Sequence, residues 1–243
     1  MKHSEKEHLK ENEVAKALLV ANQNRPQLLF IAGGVLVLLA AVGGYVTWQR
    51  SKDSAVSGLL ADAMVVYEAP VQAPAPPPEP GAPPSPAPTQ MPGTYPTERA
   101  KLEAALPKFL AAADSSPAST PGRLARLNAA AVLVALGRYD EARTHYEQLA
   151  TGTDVVASGA AMGKAQALLR AGQFEPAIES LKTLSTQTTG QLPVDGVLME
   201  LAHAYRSSGK LDDARKTLTE IIEKHAEGPF AAEARTELDR LKS

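Results

Sequence analysis

A spaced set of five residues occurs three times in the C-terminal half of this 243-residue chain, and nothing else in the sequence restricts the fold as strongly. Gly137, Tyr139, Ala142, Tyr146 and Leu149 return as Gly172, Phe174, Ala177, Leu181 and Leu184, and again as Gly209, Leu211, Ala214, Leu218 and Ile221. The glycines stand 35 and 37 residues apart, a period that belongs to helix–turn–helix units stacked in an array. Each unit alone has too little apolar surface to form a core, so neighbours must stack to bury it.

The residue types follow from that packing. A glycine ends the first helix of each pair in a conformation that other residues adopt at a cost, and an apolar residue two positions later packs under the turn. The alanine three further on (142, 177, 214) lets two helices approach closely, and the large residue four after it falls on the same face and fills the space between pairs. In the first helices, Ala130, Ala165 and Ala202 precede the glycines by seven residues and Leu133, Leu168 and Tyr205 by four. These small and large positions are those of tetratricopeptide repeats, which have a 34-residue period.

A further half-repeat fits upstream. Ala105, Phe109, Ala112 and Pro117 have second-helix spacing, with Pro107 expected to kink it. Its first helix is expected over Asp53 to Glu68, with Ala61 and Met64 in the small and large positions. Residues 69–96 lie between them and hold 12 of the 19 prolines with one charge, Glu79. Such a segment cannot continue a helix and is expected to be polyproline-like or disordered, either an insertion within repeat one or a linker. Residues 230–241 are expected to form a capping helix.

Leu28 to Trp48 is an uncharged run of 21 residues, which at about 1.5 Å per residue matches a hydrocarbon core of roughly 30 Å. It is longer than the apolar region of a cleaved signal peptide and exits through Tyr45, Thr47 and Trp48 into Arg50 and Lys52. Lys2, Lys6, Lys10, Lys16 and Arg25 precede it, so the N-terminus is expected to be cytoplasmic and the C-terminal domain periplasmic. Gly33, Ala40 and Gly44 are candidates for packing against another membrane helix. Ahead of the span, Ser4 and Glu7 fit a capping box for a short amphipathic helix ending near Asn22. The expected fold class is therefore all-α, a single transmembrane helix followed by a tetratricopeptide-repeat helical solenoid. Its parts are a cytoplasmic tail (1–27), the span (28–48), a linking helix (49–68), the proline-rich segment (69–96) and the repeat domain (97–243).

An N-terminal charged helix, one anchor, a linking helix and repeats of the Gly137-Arg138-Tyr139-Asp140-Glu141-Ala142 type resemble the ancillary SecYEG translocon subunit family. That resemblance implies an inner-membrane protein whose periplasmic repeat domain engages translocon subunits, secreted proteins and chaperones. The proline-rich segment departs from the family's short form. The repeats also resemble those of periplasmic coordinators of cell division or envelope assembly.

Composition offers little to an enzyme. The 25 basic residues nearly balance 27 acidic ones, so no general field favours nucleic acid. There is no cysteine, hence no thiolate zinc site or cysteine nucleophile. Gly159 to Lys164 is one residue short of a phosphate-binding loop, Ser207 and Lys210 lack companion motifs, and the five histidines show no paired metal spacing. No catalytic residue, cofactor or metal is expected. By repeat register Leu127, Met162 and Met199 share the inner face with Gln166, His203 and Arg206, forming either a partner groove or part of the core. His203 reads there as a solvated polar residue.

Overall fold

The computed structural model describes residues 25–72, 91–187 and 192–241; from 25 to 50 only side chains 41, 42, 44, 47 and 48 are included. The tail helix expected from Ser4, and Gly33 and Ala40 as packing groups, lie outside the described residues, as does most of the proline-rich segment. The chain divides into two compact units, Met1–Lys52 and Asp53–Ser243.

Helix α1 spans Arg25–Tyr67. In the first unit the Lys52 ammonium lies 3.9 Å from the centre of the Trp48 ring, a cation–π contact. Gly44 is exposed, with open space where a Cβ would stand. Among the described residues no helix is long and apolar enough to cross a membrane; most side chains of Leu28 to Trp48 fall outside that description.

In the second unit the last part of α1 is followed by α2 (Glu98–Ser115), α3 (Thr120–Ala135), α4 (Tyr139–Leu149), α5 (Val155–Arg170), α6 (Phe174–Thr186), α7 (Val194–Ser207), α8 (Leu211–Lys224) and α9 (Ala231–Arg240). Successive helices from α2 onward pack on one another, and α3 also packs on α5 and α5 on α7, so the first helices of the three repeats form one layer. No strand lies among the described residues; one parallel bridge pairs Val71 with Tyr95, tying together the two ends of the proline-rich segment.

The turns within the repeats are alike in every bond. Gly137, Gly172 and Gly209 have φ of +78°, +75° and +79°. The next amide reaches five residues back, Arg138 to the Leu133 carbonyl, Gln173 to Leu168 and Lys210 to Tyr205, while each glycine N–H reaches three back. This pair of bonds is the Schellman termination, which satisfies carbonyls that the helix end would otherwise orphan. Nothing lies within 4 Å of a Cβ built on these glycines, so backbone conformation alone selects them. The second helices then start without a side-chain cap but with acids in the first turn: Asp140 and Glu141, Glu175, and Asp212 and Asp213.

The small positions Ala130, Ala165, Ala202, Ala142, Ala177 and Ala214 are all buried. Of the residues after the turn, Tyr139 and Phe174 are half-buried, but Leu211 is 41% exposed, because a single short helix rather than another pair follows it. In α1, Ala61 is exposed and the neighbouring Ala63 is the buried small residue, packed in a cluster with Leu102, Ala105 and Phe109. Tyr67 sits edge-on to Phe109 with ring centres 5.9 Å apart. Pro107 lies inside α2 without breaking it; its position is exposed, so the carbonyl left without a donor, that of Glu103, lies on the wet side.

Asp154 links two repeats. Its Oδ1 accepts from the Ala157 amide at 2.8 Å, capping α5, and both its oxygens accept from the Arg123 guanidinium on α3. The Arg123 hydrogen bonds, with the Ala157 amide behind them, hold the Asp154 carboxyl at about 2, below its ordinary 3.8.

Replacing Gly137, Gly172 or Gly209 by Ala is expected to cost about 1–2 kcal/mol each in chemical denaturation, the strain of a left-handed non-glycine residue. An unchanged midpoint in any of the three would show that its turn relaxes without strain. Because the folded Asp154 carboxyl titrates below its unfolded value, its contribution is complete above 3.8 and disappears as pH falls through about 2. Arg123→Ala is therefore expected to flatten the loss of stability in that acid window, measured by urea melts at stepped pH, whereas a slope equal to wild type would mean the pair is not linked to folding.

Candidate partner groove

The inner layer places the expected groove residues on α3, α5 and α7, but not equivalently. Leu127 is half-buried, and its Cδ2 would lie 3.9 Å from a Cβ placed on Gly159 of the next repeat. Met162 is likewise half-buried, with part of its side chain on the core. Met199 is 2% exposed and is among the largest fully buried side chains, so it is a core residue and not part of a groove wall. The three do not make a continuous exposed ridge. The last repeat closes over its methionine because α9 covers that end of the array, packing on α8 with Ala234 and Leu238 in the same apolar cluster as Met199.

The polar members come together. Gln166 Nε2 donates to Glu200 Oε1 at 3.0 Å, bridging α5 and α7. Further along α7, Arg206 Nη1 donates to Glu237 Oε2 on α9 at 2.8 Å, and His203 Nε2 lies 3.3 Å from Glu237 Oε1. Gln166 and Arg206 are exposed, His203 is half-buried and Glu237 is buried. The inner face thus changes character along the array, from Leu124, Leu127 and Val134 on α3 to this polar network at the C-terminal end.

Gly159 to Lys164 lies within α5, as the repeat register requires. Gly163 serves close approach: a Cβ there would meet Tyr146 ring atoms at 2.5 Å. Ser207 ends α7 and Lys210 precedes α8, where its ammonium pairs with Glu175 at 2.7 Å across two repeats.

Sequence reasoning missed two features. Glu233 and Glu237 come from the capping helix, some thirty residues beyond His203, where no spacing rule points to them. On the side of the second helices, an open cleft of about 580 Å³ is lined by Arg143 and Glu147 of α4, Lys164 and Leu168 of α5 and Glu179 and Leu184 of α6. Glu147 lies 3.4 Å from Arg143 and 3.9 Å from Lys164, so opposite charges already satisfy one another there and the cleft has no single sign to offer a ligand.

Residues 127–185 and 199–238 match the tetratricopeptide repeat family. Among solved structures, the chain resembles the nearly identical TPR-like repeats of a Podosopora anserina protein described as a kinesin light chain, and a single-substitution form of it. In both cases the identity is 18%, the TM-score 0.51, and the match covers 58% of this chain and 77% of the other. At that identity the likeness speaks for the fold alone. No curated protein matches the chain.

Met199→Ala is expected to destabilise the domain by about 2–5 kcal/mol, the cost of emptying a core methionine site. Gln166→Ala, at an exposed position, is expected to stay within about 0.5 kcal/mol of wild type. Denaturant melts of the two variants side by side test the division between core and groove, and a Met199→Ala protein as stable as wild type would return that residue to the surface.

Proposed function

Because this chain carries tetratricopeptide repeats, a scaffold for binding other proteins, we propose that it is a membrane-tethered interaction module that catalyses nothing. The repeat domain is held on the far side of the inner membrane by the span over Leu28 to Trp48, with Gly33, Ala40 and Gly44 facing a neighbouring membrane helix. Its partners are translocon subunits at the anchor and secreted proteins or periplasmic chaperones at the groove.

The single observation that carries this reading is the pairing, in one chain, of an uncharged 21-residue run flanked by unequal basic charge with a three-repeat array whose inner face is part apolar and part polar. A surface of that kind suits extended or helical segments of varied sequence, with Leu127 and Met162 offering adaptable apolar contact and Gln166 offering hydrogen bonds. The orientation rests on the five basic residues ahead of the span against two behind it.

The test is in-cell photo-crosslinking from Ala40 in the anchor and from the exposed Gln166 in the groove, with the adducts identified by mass spectrometry. Translocon helices at the first site and secreted proteins or chaperones at the second are the expected products. Division or envelope-assembly proteins at both sites would replace this reading with that of an assembly coordinator, and an absence of adducts at Gln166 would remove the groove.

A further inference from the structure

Where the last repeat meets the capping helix, three side chains converge that the function proposed above does not use. His203 projects from α7, and Glu233 and Glu237 stand one turn apart on the same face of α9. One nitrogen of the imidazole and one oxygen of each carboxylate all lie within 4.8 Å of one another. Glu237 is only 9% exposed. Its Oε2 is engaged by Arg206, while its Oε1 faces His203 Nε2 across 3.3 Å. That nitrogen is shielded from solvent and has no hydrogen-bond partner.

A buried ring nitrogen beside a buried carboxylate oxygen, with no hydrogen bond joining them, is a pair of donor atoms awaiting a proton or a cation. The third group decides between the two. Glu233 is exposed and makes no hydrogen bond or ion pair among the described residues, so its carboxylate is able to turn inward and complete a chelate that a proton does not need.

We propose that His203, Glu233 and Glu237 bind one divalent transition-metal ion, with Zn²⁺ the best match. An imidazole ligand favours zinc over calcium or magnesium, which take oxygen ligands, and one nitrogen with two carboxylates leaves a fourth tetrahedral position for water. Arg206 is the supporting group: its hydrogen bond to Oε2 fixes the Glu237 carboxylate and leaves Oε1 to the ion. Its positive charge lowers the affinity below that of an all-neutral second shell. Bound there, the ion ties α9 to α7 and clamps the capping helix onto the last repeat.

The experiment is isothermal titration of the full-length protein in detergent with zinc chloride, paired with thermal melts, for wild type, His203→Gln, Glu233→Gln and, as a control, His145→Gln. One equivalent of zinc with a raised melting temperature is expected for wild type and for His145→Gln, and at least tenfold weaker binding with no thermal shift for the other two variants. Glu233 is exposed, so Glu233→Gln keeps the test valid even if His203→Gln folds poorly. Zinc binding retained by Glu233→Gln would overturn the site. So would no binding by wild type together with an NMR titration of His203 that reports a proton alone.

Discussion

Everything in the repeat domain depends on the close approach that alanine permits between helices. Ala130, Ala165 and Ala202 on the first helices and Ala142, Ala177 and Ala214 on the second are buried, and each leaves room for a neighbouring helix that a larger side chain would push away. Packing through alanine removes little apolar surface per pair, so stacking supplies what one pair lacks: Tyr146, Leu181 and Leu218 fill the gaps that the alanines create. Gly163 carries the same logic furthest, since even a methyl group there would collide with the Tyr146 ring.

This also explains what could be read in the sequence and what could not. The glycine period and the alanine positions were legible because each records a local requirement, a left-handed turn or a close contact, that few residue types meet. Met199 was misplaced because repeat register gives only a direction around a helix, and whether that direction is wet depends on what covers the end of the array; here α9 does. Ala61 and Ala63 were confused for a similar reason, since outside the well-patterned repeats no neighbouring glycine fixes the register of α1. The Asp154 link to Arg123 and the polar contacts of Glu237 join residues about thirty positions apart, and pairs of that kind leave no spacing in a single sequence.

The proline-rich segment shows how a repeat fold tolerates foreign sequence. Gln72 donates to the Tyr95 carbonyl at 2.8 Å and Tyr95 donates to the Pro70 carbonyl at 3.1 Å, so the chain leaves and re-enters the domain at one spot. Holding both ends together confines the entropic cost of the segment to loop closure, which grows only with the logarithm of length. Tyr67 on Phe109 and Ala63 in the same cluster keep the flanking helices packed independently of what lies between them.

The C-terminal end solves a different problem. An array must stop with a helix whose outer side is polar, yet the residues nearest the last repeat remain close to the core. Glu237 lies at that boundary: it is buried, and a buried carboxylate is stable only if its charge is met. Arg206 meets it from the inner face of the last repeat, so a residue that would otherwise be available to a partner is tied to the cap. The polar end of the inner face and the attachment of α9 are therefore one network, and whatever disturbs the cap alters the chemistry that the last repeat presents.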